Sequence, residues 1–158
     1  MRKIENIIVH CSDSLWGCSR EIRSWHLAKG WKDIGYHFVI LNGLPTFRHS
    51  KNLHPFLALD GAIECGRYLD DDTFISDLEI GSHALGYNEK SIGVCLIGIK
   101  SFTPNQLLSL QKLCKGLILA YSLPTSAVIG HYETQSGKEQ GKTCPNIDMA
   151  LFRASLQT

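Results

Sequence analysis

The chain has 158 residues, a length that suits one domain with one core. Its 44% hydrophobic content is ordinary for a globular protein. A formal net charge of +1 lacks the basic excess that phosphate contacts to duplex nucleic acid require. There is no polybasic run for a membrane surface, and no segment approaches the ~20 apolar residues of a membrane span. Neither nucleic acid nor membrane is expected as a partner, and a monomer is expected.

At the N-terminus the apolar run is only Ile7 to Val9, with Glu5 just upstream. A secretory signal needs a longer apolar stretch and a small-residue cleavage site, so a protein made and folded in the cytoplasm is expected. The six cysteines are Cys11, Cys18, Cys65, Cys95, Cys114 and Cys144. In a chain of this length without an export signal they read as free, small core side chains, Cys144 apart.

The first predicted strand is Ile7 to Cys11, with Ile8 and His10 on one face and Ile7, Val9 and Cys11 on the other. Ser19 is placed to cap a helix from Arg20 to Lys29, closed by Gly30, with Ile22, Trp25 and His26 as its buried stripe. A second strand covers Gly35 to Ile40. Alternation puts Tyr36, Phe38 and Ile40 on one face and His37 and Val39 on the other. Residues 41–59 lack periodicity and contain Gly43, Pro45 and Pro55, so they read as an irregular loop. Asp60-Gly61 signals a turn before a short strand, Ala62 to Cys65. Residues 70–79 again read as irregular.

Ile92 to Gly98 is a nearly continuous apolar run, as in a strand buried on both faces. The clearest helix follows. Thr103 is its N-cap, Pro104 its first residue, and Gln106 completes a capping box. Leu107, Leu110, Cys114, Leu117 and Tyr121 recur at helical spacing, and Pro124 ends the segment. Ala127 to Gly130 reads as a strand that delivers His131 at its end, and Asp148 caps a last helix through Leu156. Strands alternating with helices predict an α/β domain, a central mixed sheet flanked by helices.

A zinc site that does chemistry keeps three protein ligands and one open position, and imidazole and thiolate suit that metal. The chain offers His10 at the end of its first strand, His131 at the end of a late one, and Cys144 in Lys142-Thr143-Cys144-Pro145. Each has a blander reading, as a satisfied core histidine or a structural cysteine. Spacing alone does not pick three ligands from seven histidines and six cysteines.

Ordered strings carry more. Val9-His10-Cys11-Ser12, Arg20-Glu21-Ile22-Arg23-Ser24-Trp25-His26 and Gly30-Trp31-Lys32-Asp33-Ile34-Gly35-Tyr36-His37-Phe38 come first. Gly81-Ser82-His83-Ala84-Leu85-Gly86-Tyr87-Asn88 and Ser91-Ile92-Gly93-Val94-Cys95-Leu96-Ile97-Gly98 follow. Gly130-His131-Tyr132-Glu133 and the segment around Cys144 complete the series. From Ile7 to Phe152 the chain resembles the phage-lysozyme-type N-acetylmuramoyl-L-alanine amidases, zinc enzymes related to the peptidoglycan recognition proteins.

The resemblance implies that fold, one zinc ion held by His10, His131 and Cys144, and Tyr36 and Lys142 as catalytic residues. It places His83 on the substrate side of a cleft. The implied substrate is bacterial peptidoglycan, cut at the amide between N-acetylmuramic acid and L-alanine. Zinc would activate water and polarise the carbonyl, Lys142 would stabilise the oxyanion, and Tyr36 would hydrogen-bond the attacking water or the tetrahedral intermediate. Glu133 is a candidate partner for a ligand histidine. Without the resemblance, Lys142 reads as a solvated lysine and Tyr36 as a core aromatic.

Residues 41–59, 70–79 and 134–141 exceed the shortest members of the family and read as solvated loops. Rival readings are a binding module that does not cut, a recycling amidase, and a regulator that inhibits an RNA polymerase. Cys144 disfavours the first two, since it is lost in wall-binding relatives and replaced by aspartate in recycling enzymes. The nine residues before His10 leave little tail for a polymerase contact. A phage or prophage endolysin that waits in the cytoplasm fits these features best.

Overall fold

A five-stranded mixed sheet organises the chain in a computed structural model that describes residues 2–157. In chain order the strands are β1 (Arg2–Lys3), β2 (Asn6–Cys11), β3 (Phe38–Asn42), β4 (Asp60–Cys65), β5 (Phe74–Ile75), β6 (Ser91–Leu96) and β7 (Val128–Gly130). The helices are α1 (Ser19–Ala28), α2 (Phe47–Lys51), α3 (Pro104–Tyr121), α4 (Gln135–Glu139) and α5 (Met149–Ser155). The main sheet runs β4-β3-β6-β2-β7. Strands β3, β6, β2 and β7 are mutually parallel, and β4 adds an antiparallel edge. The α/β architecture is as expected from the alternation of elements. Among the described residues, no helix is long and apolar enough to cross a membrane.

Burial on both faces explains the apolar runs of the central strands. Ile7 and Val9 of β2, Ile40 of β3, and Ile92, Val94 and Leu96 of β6 pack on one face against Leu110, Cys114, Leu117 and Tyr121 of α3 and Met149 of α5. On the other face Val39, Leu41, Cys95 and Ile97 pack against Cys18 and Ile22 at α1. Every residue of β6 is buried.

Helix α3 forms where local signals predict it. Thr103 Oγ1 accepts the Gln106 N–H, and Gln106 Oε1 accepts the Thr103 N–H, both at 3.0 Å. The Gln106 side chain is fully buried, and its Nε2 donates to the carbonyls of Ile40 at 3.1 Å and Ile97 at 2.8 Å. One residue thus caps the helix and ties it to the sheet. Leu107 lies at the edge of the buried stripe, 37% exposed. Ser122 closes the helix in the left-handed conformation, ahead of Pro124.

Several local expectations are corrected. Ser19 is the first residue of α1 and not its cap; Cys18 holds the N-cap position without a side-chain hydrogen bond. The Ser19 N–H instead donates to the Glu64 carboxylate of β4 at 2.8 Å, a distant anion at the positive helix end. The second strand begins at Phe38, three residues later than predicted, and runs on to Asn42. Period-two alternation therefore does not extend back to Tyr36, which packs with Val39 and Leu41 and not with Phe38 and Ile40.

Residues 41–59 are also not wholly irregular, since they contain the end of β3 and the short helix α2. Gly61 lies inside β4 with φ +82°, beside a register shift between Ile40 and Asn42. It is a bulge, and a Cβ there would meet the Asn105 carbonyl oxygen at 2.8 Å. Residues 70–79 contain β5, which pairs antiparallel with β1. The buried Glu79 carboxylate accepts the Asp70 N–H at 2.7 Å and the Ser76 N–H at 2.8 Å, so that stretch is folded around an acid. Residues 134–141 carry α4, capped by a fully buried Thr134 whose Oγ1 accepts the Gly137 N–H.

Candidate active site

The pairing of β2 with β7 brings the two predicted histidine ligands together. Val9 lies opposite Gly130 in a parallel register, so the residues that follow, His10 near the end of β2 and His131 just past β7, stand side by side at the same end of the sheet. Their ring centroids are 4.6 Å apart. Ligand sites at the carboxyl ends of parallel strands are common in α/β sheets.

Cys144 is returned to this edge by two contacts. Its carbonyl accepts the Tyr132 N–H at 3.0 Å, and its Sγ accepts the Cys11 N–H at 2.9 Å. The Asn146 side chain fastens the loop further by donating to the Ile99 carbonyl at 2.7 Å. One donor atom each from His10, His131 and Cys144 then lie within 4.8 Å of one another.

The three residues stand in a cleft of about 440 Å³ that Tyr36, His83 and Lys142 also line. Burial, then His83 and His131, push the His10 imidazole well below its ordinary pKa. Burial and the Lys142 ammonium lower His131 in the same direction. Both rings are therefore neutral at neutral pH, the state in which imidazole offers a lone pair. The neighbouring Cys11 thiol and burial push the Cys144 thiol up, opposed by the Cys11 N–H on its sulfur. A cation beside that sulfur supplies the charge its ionisation lacks. Two neutral imidazoles and one thiol converging on a cleft are a donor set that fits zinc, with a fourth position left to the cleft.

Tyr36 is partly exposed to the cleft, its ring centroid 5.1 Å from that of His10. Burial of the phenol raises its pKa well above the usual value. Lys142 is exposed at the cleft edge, and its backbone N–H donates to the Gly137 carbonyl at 2.8 Å. His83 lines the cleft but is only 8% exposed, and both of its ring nitrogens have partners within the protein. Glu133 does not reach a ligand histidine. Its carboxylate accepts from Arg153 at 2.8 and 2.9 Å and from the Gly130 N–H at 2.8 Å. What supports His131 from below is Thr134, whose Oγ1 donates to the His131 carbonyl at 2.8 Å.

Three contributors were not singled out from sequence. The Cys11 N–H, the Thr134 cap and Asn88 all act through backbone groups. Asn88 Oδ1 accepts the N–H groups of both His83 and Ala84 at 2.8 Å. Its place at the end of the Gly81 to Asn88 string was the available signal.

The chain belongs to the N-acetylmuramoyl-L-alanine amidase family, whose model matches residues 1–147, and it is an amidase. It is 35% identical over 156 residues to the endolysin of Enterobacteria phage T3, covering 92% of this chain and 82% of that one. It is 36% identical over 155 residues to the endolysin of Escherichia phage T7, covering 90% and 81%. In fold it is similar to the solved N-acetylmuramoyl-L-alanine amidase LysC from Clostridium intestinale URNW. That match has a TM-score of 0.73 and 23% identity, and covers 99% of this chain and 87% of the other.

Proposed function

We propose that this chain is a zinc-dependent endolysin that hydrolyses the amide between the lactyl group of N-acetylmuramic acid and L-alanine in bacterial peptidoglycan. The observation that carries the proposal is the convergence of His10, His131 and Cys144 donors at the foot of one cleft. Similarity to phage endolysins over most of both chains supports the biological setting, in which the enzyme stays in the cytoplasm until it is released onto the wall.

Bound by these residues, zinc supplies a Lewis acid and lowers the pKa of water toward ~7. The chain's own groups do the rest. The Lys142 ammonium at the cleft edge is the positive charge available to stabilise the amide carbonyl oxygen as it gains negative charge. Tyr36, with a raised pKa, keeps its proton at neutral pH, and its phenol, lining the cleft beside His10, is the donor available to the attacking water or the tetrahedral intermediate.

Digestion of purified sacculi, followed by mass spectrometry, tests the proposal. The expected products are stem peptides with a free L-alanine amine and glycan strands bearing a free lactyl carboxylate. Cys144→Ser is expected to lose both metal and this release. Glycan fragments cut between sugars, or a fully active Cys144→Ser protein with undiminished zinc, would overturn it.

A further inference from the structure

His83 touches the candidate ligand His10 directly: His10 Nε2 and His83 Nδ1 are 3.0 Å apart. The direction of that hydrogen bond follows from the far end of a short chain. Ser91 Oγ lies 2.8 Å from the Tyr87 carbonyl oxygen, which can only accept, so the Ser91 hydroxyl proton points there. Ser91 Oγ must then accept from His83 Nε2, 3.4 Å away, so that nitrogen carries the His83 proton. His83 Nδ1 is consequently bare. It accepts from His10 Nε2–H, and this leaves the lone pair of His10 on Nδ1.

The slot that holds His83 is built for a ring. A Cβ on Gly93 would meet His83 Cγ and Cδ2 at 2.7 Å, and one on Gly81 would meet Cδ2 at 2.7 Å. Asn88 fixes the His83 backbone from the other side by accepting its N–H. Two glycines and an asparagine of the family strings thus serve the placement of one imidazole.

We infer that His83 is a positioning residue, not a substrate contact: through the Tyr87–Ser91–His83 chain it fixes the tautomer of His10 so that Nδ1 faces the metal. This inference rests on the reading of His10 as a metal ligand. A metal-bound histidine whose other nitrogen is held by a second group gains orientation and affinity from it, and loss of such a group typically costs 10–100-fold in metal affinity.

The experiment measures zinc affinity of the full chain by competition with a chelating dye, together with the nitrogen-15 NMR pattern of its histidines with and without zinc. In the wild type, His10 is expected to carry its proton on Nε2 in both states, and zinc is expected to shift Nδ1. His83→Leu, which removes the acceptor, is expected to weaken zinc about 10–100-fold. His83→Asn, whose side-chain oxygen can stand where Nδ1 stood, is expected to restore most of that affinity. Rescue by asparagine separates positioning from a general packing role.

A His10 proton found on Nδ1, or a His83→Leu protein that binds zinc as the wild type does, overturns the inference while leaving the metal site intact. A His10→Ala protein with undiminished zinc affinity overturns the metal reading itself. If His83→Leu does not fold, the wild-type NMR pattern and His83→Asn still decide.

Discussion

The guanidinium of Arg153 and the carboxylate of Glu133 meet in a two-pronged pair, Nη1 to Oε2 at 2.8 Å and Nη2 to Oε1 at 2.9 Å. Oε2 also accepts the Gly130 N–H, and Nη1 also donates to the Val128 carbonyl at 3.0 Å. The pair therefore bolts α5 to both ends of β7, just below His131. Its two side chains are 23% and 24% exposed, so it is not a freely solvated surface contact.

Replacing Glu133 with Gln is expected to cost about 1–3 kcal/mol of stability. Burial raises the Glu133 pKa, but the Arg153 hydrogen bond and the Gly130 N–H outweigh it and the net shift is downward. A depressed acid contributes fully above its unfolded pKa of ~4.3 and loses that contribution as pH falls through the folded value. Thermal melts from pH 7 to pH 3 should therefore show the gap between wild type and Glu133→Gln closing in acid. A gap that stays constant over that range contradicts the assignment.

Gln106→Leu tests the link between α3 and the sheet. The substitution adds apolar surface at a buried site, yet it removes two donors from the carbonyls of Ile40 and Ile97 and one acceptor from Thr103. A net loss of about 2 kcal/mol is expected in urea titrations. Thr103→Ala, which removes the other half of the capping box, should cost about 1 kcal/mol. A Gln106→Leu protein as stable as the wild type would show that packing alone holds the helix.

Metal removal should be visible in stability as well as in activity. A ligand that binds only the folded state, present at a thousand times its Kd, stabilises by about 4 kcal/mol. Excess chelator is expected to lower Tm reversibly, and added zinc to restore it. In Cys144→Ser the difference between chelated and zinc-loaded melts should shrink sharply. Identical melts for wild type with and without chelator would mean that no folded-state metal is held.

Tyr36→Phe and Lys142→Ala, made separately, are each expected to lower kcat by about 10²–10³ while zinc content stays unchanged. Both residues line the cleft and neither offers one of the three donor atoms. Near wild-type peptide release by either variant would remove that residue from the catalytic set.

What could be read in advance divides by range along the chain. Helix α3 was legible because Thr103, Pro104 and Gln106 signal its start within four residues. The faces of β2 were legible because pairing with β6 runs over its whole length, keeping Ile7 and Val9 together and His10 apart. The start of α1 was not, because its acceptor, Glu64, comes from β4. Strand β5 is two residues long, too short for any period to show. Tyr36 was put on the wrong face because β3 ladder pairing begins two residues after it.

The candidate site shows the same limit. Imidazole and thiol chemistry made the trio conceivable, but the Val9–Gly130 register that sets His10 beside His131 is a property of the folded sheet. Only the ordered family strings stood in for it. The part played by His83 was out of reach altogether, since it depends on a hydrogen-bond direction set by one backbone carbonyl.

The position of Cys144 also bears on when the candidate metal site can form. His10 is in the second strand made and Cys144 is on the loop before the last helix, so the three donors meet only through contacts that span nearly the whole chain. During synthesis β2 is finished long before Cys144 leaves the ribosome. A chain truncated before that loop would keep two of the three candidate donors and no closed site. Completion of the candidate metal site is thus tied to completion of the chain, and a form that stops short of Cys144 would lack the centre on which the proposed chemistry depends.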